Sequence, residues 1–68
     1  MKAVSGKRMA RLVEDNGWRL ARINGSHHIY VKEGRTERLV IHIHGSQSLK
    51  TGLQRSLMKL AGVREDDL

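Results

Sequence analysis

Apolar residues recur at helical spacing near each end of the chain and alternate at strand spacing in between. Met9, Leu12 and Val13 stand three and four apart, the mark of one buried helical stripe, with Lys7, Arg8 and Arg11 off it. Ser5 precedes this stripe and can accept from the free N–H groups of a first turn. Asn16-Gly17 closes the helix. Residues 18–23 read as a strand, with Trp18 and Leu20 on one face and Arg19 on the other, although Ala21 and Ile23 blur the alternation. Asn24-Gly25 signals a two-residue hairpin turn, and residues 27–32 form the second strand. Glu33-Gly34-Arg35-Thr36 makes a second turn. In the third strand, 37–43, Leu39, Ile41 and Ile43 alternate with Arg38, Val40 and His42. After a polar loop, a second helix is expected over about 50–61. Its stripe is Leu53, Leu57, Leu60 and Ala61, Met58 flanks it, and Gly62 stops it.

Helix, three strands and helix predict an α+β fold. Two tight turns make the strands an antiparallel meander. Each helix has one apolar stripe, so both pack on one face of the three-stranded sheet in a two-layer α-β-β-β-α arrangement. The other face stays open to solvent or a partner. Trp18, directly after the helix stop, reads as core. At 68 residues the chain accommodates a single domain, 1–68, with a core over about 5–63. Residues 1–4 read as a loose leader and 64–68 as an acidic tail with little to bury.

Charge changes the picture. Thirteen Lys and Arg oppose seven Asp and Glu, a net +6. Between Gly17 and Leu60 only Glu33 and Glu37 oppose the basic residues. A polyanion is the natural partner, and nucleic acid is the commonest one. The chain contains no cysteine, so disulfides and cysteine metal sites are excluded. No apolar run reaches the ~18 residues of a membrane span, and no signal-peptide block opens the chain. A soluble, cytoplasmic protein with no membrane association is expected.

The candidate chemistry lies in histidines. His27 and His28 begin the second strand and point to opposite faces. His27 follows Gly25 and Ser26, where a turn leaves room for a substrate. Two readings fit it: an ordinary surface histidine, or a base. His42 and His44, two apart, share a face if the strand continues, but their spacing matches no zinc pattern and neither metal nor cofactor is expected. RNA offers a route without metal. Its 2′-OH is an internal nucleophile beside the scissile phosphate, and an imidazole is the side chain best matched to taking that proton near neutral pH. Lys7, Arg22, Lys32, Arg35 and Lys50 are the cations available to stabilise the phosphorane, with Ser26 beside the histidine as a further RNA contact. No proton donor to the leaving oxygen is evident; His28 faces the wrong way.

Five segments together carry a family resemblance. They are Ser5-Gly6-Lys7, Asn16-Gly17-Trp18, Gly25-Ser26-His27-His28-Ile29-Tyr30, Ile41-His42-Ile43-His44-Gly45, and Leu49-Lys50-Thr51-Gly52-Leu53 with Arg55-Ser56-Leu57. In this order the chain resembles the HicA family of bacterial toxin–antitoxin systems from about Ser5 to Val63. The resemblance implies a fold like the double-stranded-RNA-binding domain. It implies an mRNA interferase, an endoribonuclease needing no metal, with the histidine after Gly-Ser, here His27, as the catalytic residue. It also implies a HicB-type antitoxin that covers the active site. The family often has proline where His42 stands, and proline is also common in the second turn, where this chain has none. Two other functions fit the same residues: a non-catalytic RNA-binding module, and a protein-interaction domain using Ile29 and Val31 beside His27 as an apolar floor.

Overall fold

The computed structural model describes all residues, 1–68. Helix α1 spans Gly6–Asp15, strands β1, β2 and β3 span Arg19–Asn24, His27–Val31 and Leu39–His42, and helix α2 spans Thr51–Ala61. A short 3₁₀ turn, Glu65–Asp67, follows. The strands form one antiparallel sheet in the order β1-β2-β3. The expected α+β layout is the observed one.

Local chemistry explains the elements. The Ser5 side chain accepts from the Arg8 N–H at 3.1 Å and caps α1. The hairpin loop is Gly25-Ser26 rather than Asn24-Gly25, because Asn24 already pairs with His27. Gly25 has φ 63 and Ser26 has no positive φ, the order a glycine-first two-residue turn requires. A register shift between Leu20 and Arg22 interrupts β1, which accounts for the blurred alternation at Ala21.

Burial sorts the two faces of the sheet. Tyr30, Leu39 and Ile41 are buried with Met9, Leu12 and Val13 of α1 and Leu57, Met58 and Ala61 of α2 in one cluster. Trp18, 2% exposed, joins it from just before β1. The α2 stripe departs from expectation. Gln54, Leu57, Met58 and Ala61 point inward, while Leu53 and Leu60 are exposed. Gln54 is inside because it has polar work there. Its Oε1 accepts from the Val4 N–H at 3.1 Å and its Nε2 donates to the Lys2 carbonyl at 2.7 Å.

The ends of the chain are therefore not loose. Val4 is buried, and its carbonyl accepts from the Leu49 N–H at 2.9 Å. At the other end Val63 is buried and Leu68 packs against the core. Arg64 N–H donates to the Asp67 carboxylate at 2.8 Å, and Glu65 meets the N-terminal ammonium at 3.7 Å. The acidic tail is a structured turn, because the apolar residues on either side of it, Val63 and Leu68, are drawn into the packing of a thin core.

One close approach joins α1 to the sheet. Gly6 is buried against the end of β3, and a Cβ at this position would run into the His42 carbonyl. Gly6→Ala gains up to about 1 kcal/mol of helix propensity, but overpacking against backbone costs typically about 1–3 kcal/mol. We expect the variant to unfold at lower urea concentration with an unchanged slope. A midpoint at or above that of the parent would show that helix and strand part without cost.

Candidate active site

The β ladder arranges the open face in rows. His27 of β2 lies between Asn24 of β1 and His42 of β3. Ile29 lies between Arg22 and Val40, and Val31 opposite Arg19. Directly paired residues point to the same side of a sheet, so Arg19, Arg22, His27, Ile29, Val31, Val40 and His42 share this face. No carboxylate stands in these rows. His27 is exposed, as are His42, Arg22 and Val40.

Three imidazoles follow one another at the turn end of the face. The ring centroids of His27 and His42 are 4.9 Å apart, tilted by 44°. His42 and His44 are 5.3 Å apart and stack within 18°. The Ile43 N–H donates to the Ser26 carbonyl at 2.9 Å, binding the end of β3 to the glycine turn just beyond this row. A cleft continues from His42 and His44 past Gln47 and Ser48 to Lys50 and Leu53 at the start of α2. The rings form a row and not a converging set, and no group of three or more His, Cys, Asp or Glu is arranged to hold a metal ion.

The sequence-predicted cations divide between places. Arg22 lies on the open face one row from His27, and Lys50 lines the cleft beside His42 and His44. Ser26 is the half-buried turn residue before His27. Lys7 lies on the helix side, lining a cleft with His28, Ile43, Gly45 and Ser46. The larger cleft along α1 likewise receives His28 rather than His27. Lys32 lies against Gly17 at the end of α1, where a cation suits the helix dipole. Arg35 is held elsewhere too. Its Nε donates to Glu37 at 3.0 Å, its second amino group to the Leu60 carbonyl at 3.3 Å, and its guanidinium carbon stands 5.5 Å from the centre of the Trp18 ring. Sequence reading left His42 and His44 unassigned. Counting the ladder outward from the Gly25-Ser26 turn would have set His42 beside His27, but only with the second turn's length known.

Beneath the open face, β2 is anchored by Tyr30, which is 3% exposed. Its hydroxyl donates to the Glu14 carboxylate across a long 3.4 Å. Burial first, then the Glu14 charge and this hydrogen bond, raise the phenol above its ordinary value of 10.0.

These features define a class: a small α+β domain with helices on one sheet face and a cationic, histidine-bearing surface on the other. The family model described as the HicA toxin of bacterial toxin-antitoxin matches residues 6–63, and the chain belongs to that family. It is thus the toxin of a toxin–antitoxin system, in a family generally of ribonuclease type whose organisation implies an antitoxin partner. No curated protein matches the chain. No helix is long and apolar enough to cross a membrane.

Tyr30 has a measurable consequence. A phenol whose pKa is raised by folding contributes stability that is fully present below its unfolded value and lost as pH rises through its folded value. Stability should therefore decline above pH 10. In Tyr30→Phe that contribution to the decline disappears, while below it the variant is less stable by about 0.5–1.5 kcal/mol. Urea titrations of both proteins across this range check it; parallel curves would mean that the phenol does not titrate with unfolding.

Proposed function

We propose that this toxin is a metal-independent endoribonuclease that cleaves mRNA with His27 as general base, acting as a single domain over 1–68, and that a HicB-type antitoxin neutralises it by covering the open face. The observation that carries this reading is the exposed His27, directly after the Gly25-Ser26 turn, on an acid-free sheet face of a chain in this family.

The chemistry needs few parts. RNA lies across β2 with a phosphate over the histidine row. A ring nitrogen of His27 takes the proton of the adjacent 2′-OH. The 2′-oxygen attacks phosphorus, and the bond to the 5′-oxygen breaks. Arg22 and Lys50 stabilise the added negative charge of the phosphorane. The products are a 2′,3′-cyclic phosphate and a 5′-hydroxyl. Ile29, Val31 and Val40 form the apolar floor between the cations, which suits ribose and base edges as well as an antitoxin surface. Cations of this face would meet phosphates, and its apolar floor the sugars and bases between them.

His27→Ala tests the base. The side chain is exposed, so the variant should keep the parent's melting temperature while RNA cleavage falls about 10²–10⁴-fold. A folded variant that cleaves at the parent's rate would overturn the reading, and products ending in 5′-phosphate would exclude attack by the 2′-OH. Persistent RNA affinity without any cleavage by the parent chain would instead favour a binding module. The cations are tested by salt. Arg22→Gln and Lys50→Gln should each lower the slope of log affinity against log salt by about one, while Lys32→Gln, at the far end of the helix side, should leave it unchanged. Equal slopes for all three variants would remove Arg22 and Lys50 from the phosphate path.

A further inference from the structure

An RNA 5′-oxygen is a poor leaving group unless it gains a proton as its bond to phosphorus breaks. A base alone therefore leaves the proposed reaction half equipped. Few groups on the open face can supply that proton. Arg22 does not release one near neutral pH. Tyr30 is buried on the opposite face and bound to Glu14, and His28 opens into the helix-side clefts. The remaining side chains beside the row that carry a transferable proton are His42, His44 and Lys50, and of these only His42 is paired with His27 across the ladder.

We infer that His42 is the general acid that protonates the leaving 5′-oxygen, paired with His27 across the β2–β3 ladder. This rests on the ribonuclease reading above and adds a second catalytic residue to it. Three observations favour His42. It is the direct cross-strand partner of His27, with ring centroids 4.9 Å apart. Attacking and leaving oxygens stand on opposite sides of phosphorus, so a phosphate seated over the two rings presents one oxygen to each. The position of His42 is also firmly set. The Ser26–Ile43 hydrogen bond closes the ladder beside it, and the backbone of Gly6 is packed on its carbonyl. Finally, His44 stacks on its outer side within 18°, restricting how the ring turns. His27 faces it from β2, His44 from the following loop and Lys50 from the approach to α2, while α1 offers only the Gly6 backbone.

The step balances. His27 begins neutral and His42 begins as imidazolium. The O2′–P bond forms as the O2′ proton passes to His27. The P–O5′ bond breaks as the His42 proton passes to O5′. His27 ends protonated and His42 neutral, and exchange with water resets the pair. No oxidant, metal or further reactant is needed.

The test separates acid catalysis from mere positioning. The scissile site of a short RNA is mapped with the parent chain. The same RNA is then made with sulfur in place of the leaving 5′-oxygen, since a thiolate departs without a proton. His42→Ala should lose about 10²–10³-fold on the oxygen substrate and stay within several-fold of the parent on the sulfur substrate. His27→Ala should lose activity on both. The parent's bell-shaped dependence of kcat/KM on pH should lose its falling, alkaline limb in His42→Ala. His44→Ala should lose less than about tenfold on either substrate, having only a bracing role. Melting curves establish that each variant is folded, and His42→Gln should behave as His42→Ala does.

Undiminished cleavage of the oxygen substrate by His42→Ala overturns the inference and leaves His27 as base untouched. Equal loss on both substrates also overturns it, by making His42 a positioning residue. Recovery on sulfur by His44→Ala instead moves the acid to His44. Failure of the parent chain to cut either RNA removes the ribonuclease reading and this inference with it.

Discussion

The register between β2 and β3 is the constraint on which the rest depends. Tyr30 opposite Leu39 and His28 opposite Ile41 place the buried side chains under the helices. The same ladder turns His27 and His42 outward. A slip of one residue would exchange the faces, because the side-chain period of a strand is two. Exposing Leu39 and Ile41 alone would cost about 3–6 kcal/mol. The net stability of a domain this size is about 3–10 kcal/mol. The core thus holds the histidine row in place from the opposite face of the sheet.

A small core also explains the attention given to the ends of the chain. Gln54 lies inside α2's buried stripe, where a leucine would be expected, yet it satisfies the Val4 N–H and the Lys2 carbonyl together. A buried amide with both ends bonded is tolerated, whereas an unpaired backbone group there would cost about 1–3 kcal/mol. Val4 can then be buried and pair with Leu49, which orders the segment ahead of α2. That segment carries Lys50 and borders the cleft beside His42 and His44. Asn16 works similarly at the opposite end, donating to the Ala61 carbonyl at 3.1 Å and linking the two helix C-termini.

Much of this architecture was legible in the chain. The cap at Ser5, the stop at Asn16-Gly17, the three strands and the helix ending at Gly62 follow from local chemistry that tertiary packing does not override. The errors have common causes. Leu53 and Leu60 looked inward because hydrophobicity alone cannot reveal that Gln54 has two buried backbone partners. Residues 1–4 looked loose because those partners are distant in sequence. The hairpin loop shifted by one residue because Asn-Gly and Gly-Ser are both acceptable turns, and only pairing decides between them. Within the candidate site, the glycine turn marked His27 only as a histidine with space around it; its proposed role comes from the family resemblance, and the structure adds its exposed place on the sheet. The neighbourhood of His42 was not legible, since it depends on how many residues the second turn consumes. Lys32 and Arg35 show the converse limit: a positive charge is visible in sequence, but not the Gly17 flank or the Glu37 and Leu60 partners that occupy it.

The two faces divide labour between stability and chemistry, and Gly6 is where they meet. Most residues of the open face are solvent-exposed, so replacing one changes local charge or proton transfer with little effect on the core. Gly6 belongs to the other layer, yet it rests on the carbonyl of His42. Any side chain there must displace either the first turn of α1 or the end of β3. Moving α1 disturbs the packing of Met9 and Val13; moving β3 shifts one imidazole of the 4.9 Å pair. Since proton transfer depends steeply on placement, a small backbone shift reaches the chemistry even if the domain stays folded. The absence of a side chain at Gly6 therefore serves the packed layer and the open layer at once.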